Sequence, residues 1–121
     1  MMWEIITTDL FDDWFGALSD RDRANVLASM LVLRIEGPNL ARPYSDTLKQ
    51  SVVSNLKELR VQSGGKPIRV LYAFNKKRKA VILCGGIKSQ NPKRFYKEII
   101  PIAEHEFEKH IAVFKEDDSN G

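Results

Sequence analysis

The sequence predicts an α+β domain in the order β-α-α-β-β-β-α, in which an antiparallel meander carries a helical hairpin packed on the sheet and is followed by a C-terminal helix. Three observations point there. Between Leu56 and Leu83, apolar runs rich in Val, Ile, Leu, Tyr and Phe are split by clusters of Gly, Pro, Asn and Lys, the pattern of short strands and turns. The connections from Gln62 to Pro67 and from Asn75 to Lys79 leave no room for a crossover helix, so neighbouring strands pair antiparallel. On either side of the meander the apolar residues recur every three or four positions, which is helical spacing.

In chain order, Trp3 to Thr7 suits a pleated surface and gives the first strand. Thr8 or Asp9 caps the next helix. Its first turns hold Asp9, Asp12 and Asp13, where the helix dipole favours acids, and its stripe of Phe11, Trp14, Phe15 and Leu18 falls at core spacing. Ser19 opens a second helix with Asp22 three residues on; Val26, Leu27, Met30, Leu31, Leu33 and Ile35 are expected to form its apolar face, and Gly37 with Pro38 stops it. The connection from Asn39 to Asn55 is long for a structureless loop, which leaves open a functional loop or a short helical turn. Leu56 to Val61, Ile68 to Phe74 and Ala80 to Leu83 are the meander strands, the last ended by Gly85 and Gly86. Asn91 and Pro92 begin the final helix, with Phe95, Tyr96, Ile99, Ile100, Ala103, Phe107 and Ile111 on one face and Pro101 expected to kink or divide it. Residues 115–121 read as a disordered tail, which leaves 1–114 as one domain without repeat or linker.

A chain of 121 residues can bury a core without disulfides or a metal, and 43% hydrophobic with 29% charged residues is ordinary for a globular protein. Cys84 is alone, cannot form an internal disulfide, and reads as a small core residue. No segment approaches the ~18 apolar residues of a membrane span, and no basic-then-apolar leader is present, so a cytoplasmic location without membrane contact is expected. The net charge of +3 conceals a segregation. Residues 41–97 hold 14 Lys and Arg against 2 acids, whereas 1–40 hold 3 against 7 and 98–121 hold 2 against 7. A basic sheet between acidic helices points to a polyanion met by one face, the plainer alternative being lysines that only solubilise strand edges.

Several chemistries are excluded by pattern. His105 and His110 are five apart, about 140° around a helix, so a shared metal is not expected, and the chain shows no motif that calls for a cofactor. No CxxC, HExxH or phosphate-cradling GxxxxGK[ST] occurs. What remains is a cationic set, Lys57, Arg60, Arg69, Lys88, Lys93 and Arg94, with Tyr96. Guanidinium forks and ammonium groups suit a phosphodiester and stabilise the extra negative charge of a pentavalent transition state, although binding without chemistry would use the same residues. Strand alternation puts Lys57 and Leu59 on one face and Glu58 and Arg60 on the other. Arg69 has a structural alternative, an ion pair with an acid across the sheet, and Tyr96 shares an apolar face with Ile99 and Ile100. Lys76, Lys77, Arg78 and Lys79 form a turn that either is solvated or reaches the phosphates of an RNA.

Taken in order, RPYSDTLK at 42–49, LKELR at 56–60, GGKPIRVLYAF at 64–74 and ILCGGIKSQNPKRFYKEIIPIAEHEFEKH at 82–110 resemble the HigB branch of the RelE and ParE superfamily, toxins of bacterial and phage toxin-antitoxin pairs. The resemblance covers nearly the whole chain. It implies a compact RelE-like sheet with two helices before the meander and one after. It also implies a ribosome-dependent, metal-independent mRNA endonuclease, an mRNA interferase, whose RNA 2′-hydroxyl attacks the scissile phosphate in the ribosomal A site, alongside 16S and 23S rRNA. The implied partner is a helix-turn-helix antitoxin of the HigA kind. By position, the resemblance implies that Arg69 contacts the scissile phosphate. It likewise implies that Arg60 is the arginine of the preceding strand, Lys88 the basic residue after the last strand, and Tyr96 the aromatic residue at the start of the final helix. The chain departs from RelE where Glu58 stands near the place of a second lysine, which leaves the general base open. Superfamily members that inhibit DNA gyrase without cutting RNA, and an inactive RNA-binding relic, are the alternatives.

Overall fold

Thr8 and Ser19 start the two helices of the hairpin. The Thr8 hydroxyl accepts from the Phe11 amide at 3.1 Å and donates to the Leu83 carbonyl at 2.7 Å, while the Ser19 hydroxyl accepts from the Asp22 amide at 3.2 Å. In a computed structural model that describes residues 2–120, with side chains described through Val113, the chain runs β1 (Ile5–Thr7), α1 (Asp9–Gly16), α2 (Asp20–Glu36), β2 (Ser45–Thr47), β3 (Lys57–Ser63), β4 (Lys66–Phe74), β5 (Ala80–Ile87) and α3 (Pro92–Asn120). The sheet order is β1-β5-β4-β3-β2. Strands β3, β4 and β5 are the expected antiparallel meander, and β1 lies parallel to β5.

Alternation along the strands separates two cores. Leu59, Val61, Ile68, Val70 and Tyr72 meet Phe11, Val26 and Leu33 of the hairpin on one face. Leu71, Ala73, Val81 and Leu83 meet Ile99, Ile100, Ala103 and Phe107 of α3 on the other. The aromatic stripe of α1 is confirmed as core: Phe11 is buried, and Trp14, Phe15 and Leu18 pack partly buried against it.

The structure corrects the sequence reading in several places. Residues 45–47, placed in a connection, form β2, an edge strand pairing Asp46 with Glu58 and tied to β4 by a 2.6 Å bond between the Ser45 and Tyr72 hydroxyls. The β3–β4 connection is shorter than expected, because Ser63 pairs with Lys66 and only Gly64 and Gly65 turn the chain, at φ of 57° and 79°. Strand β5 does not end at its glycines. Trp14 presses on Gly85 from the hairpin side, and a Cβ at Gly86 would lie 3.2 Å from Phe95 of α3, so these positions are small because helices close on both faces. Leu27, Leu31 and Ile35 are 53%, 48% and 55% exposed rather than core, because apolar residues spread around α2 and only one side of it meets the sheet. Helix α3 is undivided at Pro101, and its span takes in residues 115–120 of the expected tail; the side chains there, and Gly121, lie outside the described residues.

Candidate functional site

The register of the sheet puts Arg60 of β3 directly opposite Arg69 of β4, and Arg69 opposite Gly86 of β5. Arg60 shares the α3 face with Glu58, and Asp46 of the neighbouring strand lies opposite Glu58. Two arginines side by side across strands repel, so this row requires anions. Glu58, only 1% exposed, supplies one: its Oε2 lies 3.3 Å from Arg60 Nε and its Oε1 3.7 Å from Arg69 Nε. Asp46 supplies the other, accepting from Arg60 at 3.1 Å and from Arg42 at 2.8 Å. The bond from Arg42 is the main reason that the Asp46 carboxyl is held below the usual carboxylate range.

Arg69 is 6% exposed and donates through Nη1 to the Ile68 carbonyl at 3.1 Å. Its Nε is buried with no hydrogen-bond acceptor among the described residues, since Glu58 stands too far for one. The ion pair with an acid on the neighbouring strand, one of the two sequence readings of Arg69, is therefore present. Tyr96, in the second turn of α3, packs its ring against the core of that face and donates its hydroxyl to Glu58 Oε1 at 2.7 Å. Burial first, and the bond to Glu58 second, push this phenol up to about 12, so near neutrality it is a proton donor and not a phenolate. Lys88 follows directly on Ile87, the last residue of β5, with its amide on the Pro67 carbonyl at 2.8 Å.

Arg60, Arg69 and Tyr96 thus gather around Glu58 at one end of the α3 face, and the backbone of Lys88 follows that end of β5. Lys93 and Arg94 flank them, exposed on the first turn of α3, where the Asn91 side chain accepts the Arg94 amide at 3.1 Å. Lys57 is not with them: it faces the hairpin side, opposite Tyr72. The turn of Lys76, Lys77, Arg78 and Lys79 is also elsewhere, at the far end of β4, about 17 Å along the strand from Arg69. Arg78 lies 5.1 Å over the Trp3 ring, and Lys79 pairs with Glu4 at 3.0 Å, so half of that run is tied to the N-terminal segment. Sequence reasoning missed Glu58, Asp46 and Arg42 as members of the site. A signal existed in LKELR, where an acid two residues from Arg60 must share its face.

A small mixed sheet with a helical hairpin on one face, a long helix on the other and a cationic row across the second face is a RelE-like fold. A chain of the crystal structure of the toxin-antitoxin complex RelBE2 from Mycobacterium tuberculosis matches it with a TM-score of 0.53 at 17% identity, over 72% of this chain and 99% of that one, a likeness of fold. The sequence profile of the phage-derived Gp49-like proteins (DUF891) matches residues 13–108. Two Mycobacterium tuberculosis proteins named as toxins are similar in sequence. HigB3 is 40% identical over 108 residues, 89% of this chain and 93% of its own. HigB2 is 36% identical over 104 residues, 85% of this chain but 52% of its own, so the chain spans about half of that relative. The chain belongs to the phage-derived Gp49-like family and, with it, to the HigB-type toxins.

Proposed function

We propose that this toxin acts in the cytoplasm as a ribosome-dependent mRNA endonuclease. The observation that carries the reading is the cross-strand pair Arg60 and Arg69, set on one face with the Tyr96 hydroxyl. In the proposed reaction the RNA 2′-oxygen bonds to the adjacent phosphorus, the bond to the 5′-oxygen breaks, and the products are a 2′,3′-cyclic phosphate and a 5′-hydroxyl. Arg60 and Arg69 hold the nonbridging oxygens as their charge grows. Lys88 stabilises the leaving oxygen, and Tyr96, protonated near neutrality, orients the nucleotide and can donate towards that oxygen. The 2′-hydroxyl proton goes to a base outside this set, supplied by ribosome or solvent, which fits a toxin that depends on the ribosome. No step of this scheme calls for a metal.

Purified protein should cut naked RNA poorly and cut mRNA within codons on programmed ribosomes, as read by primer extension. Equal cutting of naked RNA would count against the ribosomal step. The ion pair of Arg69 with Glu58 is also what a purely structural arginine makes, and the second reading is then a non-nuclease toxin that inhibits gyrase; supercoiling inhibition without RNA cleavage would select it. A HigA-like helix-turn-helix antitoxin is the proposed partner, supported by the structural neighbour's being a toxin-antitoxin complex and by the exposed row Leu27, Leu31 and Ile35 on α2. Co-expression with a HigA-like helix-turn-helix protein should relieve growth arrest, and Leu31→Glu should weaken the complex about tenfold or more; no complex with the parent protein would sink that pairing.

A further inference from the structure

Glu58 is a carboxylate placed where an RNA-binding face has least use for one, and it is more deeply buried than the arginines around it, at 1% exposure. A carboxylate so buried is stable only if its lone pairs are met. Tyr96 O–H meets Oε1 at 2.7 Å, with Arg69 Nε 3.7 Å from the same oxygen, and Arg60 Nε meets Oε2 at 3.3 Å. These partners come from three elements, β3, β4 and α3, and Glu58 is the atom group they share.

We propose that Glu58 is a positioning residue of this site, whose carboxylate gathers the Tyr96 hydroxyl and the Arg60 and Arg69 guanidiniums into one constellation and lets two like charges stand side by side. It is not placed to be the general base, because both of its oxygens face donors of the protein and almost none of it meets solvent. Arg69 Nε is buried facing Glu58, beyond hydrogen-bonding distance of it, so this edge of the guanidinium serves the ion pair with Glu58. The inference rests on the nuclease reading for its kinetic consequences and on the geometry alone for the rest.

The test uses Glu58→Gln, whose amide oxygen can still accept from Tyr96 or Arg60 but carries no charge, and Glu58→Ala, with folding checked by circular dichroism. On ribosome-bound mRNA, Glu58→Ala should lower the single-turnover rate about 100-fold with little change in ribosome affinity, and Glu58→Gln should lose less. Independently of activity, the tyrosinate absorbance that Tyr96→Phe removes should titrate lower in Glu58→Gln than in the parent, yet still above the ordinary tyrosine range because the ring stays buried. A Glu58→Ala protein that cuts at the parent rate overturns the proposal, as does an unmoved Tyr96 titration. Loss of the ascending limb of the pH-rate profile in Glu58→Gln would make Glu58 the base instead. If Glu58→Ala does not fold, Glu58→Gln decides. If the parent itself cuts no RNA, the nuclease reading fails while the tyrosine titration still judges the constellation.

Discussion

Arg69 is where electrostatics and chemistry compete most directly. Its guanidinium is nearly buried, shares Glu58 with Arg60, and keeps one donor unmatched. Removing it leaves Glu58 with fewer cationic partners in a dry setting, so Arg69→Ala is expected both to abolish cleavage and to destabilise the fold by about 3 kcal/mol. Arg69→Lys separates the two effects. A lysine keeps the charge that Glu58 needs, so thermal stability should recover most of that loss, but a point charge cannot reproduce the planar fork, so cleavage of ribosome-bound mRNA should stay at least ~100-fold down. Parent-level cutting by a folded Arg69→Lys would show that the fork is not used. Both roles of Arg69 were visible in the sequence as alternatives, but which acid it would meet was not. Alternation placed Glu58 on the face of Arg60, whereas only the pairing register brings that face against Arg69.

What was legible among the elements follows from how local their causes are. The caps at Thr8 and Ser19, the stripe on α1 and the start of α3 at Asn91 depend on neighbours within a turn, and each stands where the sequence put it. Strand β2 has no such signature. Three polar residues become a strand only because the edge of β3 offers them hydrogen bonds, and that edge is long-range information. The same is true of Asp22, read only as a weak capping partner. It is 3% exposed at the start of α2, accepts from the Ser63 hydroxyl at 2.5 Å and pairs with Lys66, so it clamps the helical hairpin to the β3–β4 turn. Lys66 first, then Ser63, lowers its carboxyl to about 2 from an ordinary value of 3.8. Because the folded value is the lower one, the clamp contributes its full stability above about pH 4 and loses it as the pH falls towards 2. Asp22→Asn should therefore melt below the parent at neutral pH, and the two melting curves should converge as the pH approaches 2. A gap that stays constant over that window would mean that the ion pair with Lys66 contributes nothing.

Across the molecule, the cations that the sequence concentrates between residues 41 and 97 are divided by the fold into separate surfaces. Arg60 and Arg69 lie at one end of the α3 face, Lys88 follows the end of β5, and Lys93, Arg94 and Lys97 stand on the opening turns of α3. Lys76 and Lys77 lie exposed at the opposite end of β4, and Arg78 and Lys79 contact Trp3 and Glu4. A short RNA bound at Arg69 reaches the first group readily, whereas the turn, about 17 Å away along β4, meets a phosphate only on a large partner such as a ribosome. Neutralising Lys93, Arg94 and Lys97 to Gln should therefore weaken binding of both a short RNA and the ribosome, and lower the slope of log affinity against log salt by about 2, at roughly 0.7 per single-strand phosphate contact. The exposed Arg94–Glu98 pair at 3.0 Å is too solvated to offset this. Neutralising Lys76 and Lys77 to Gln should leave the short-RNA slope unchanged and lower the ribosome slope alone. In both variants the single-turnover rate of bound complexes should stay near the parent's, because neither group touches the reacting phosphate. If the turn variant lowers the short-RNA slope as well, the two surfaces are not separate in use. If neither variant moves any slope, the segregated charge serves solubility, and recognition of the polyanion lies in the arginine row alone.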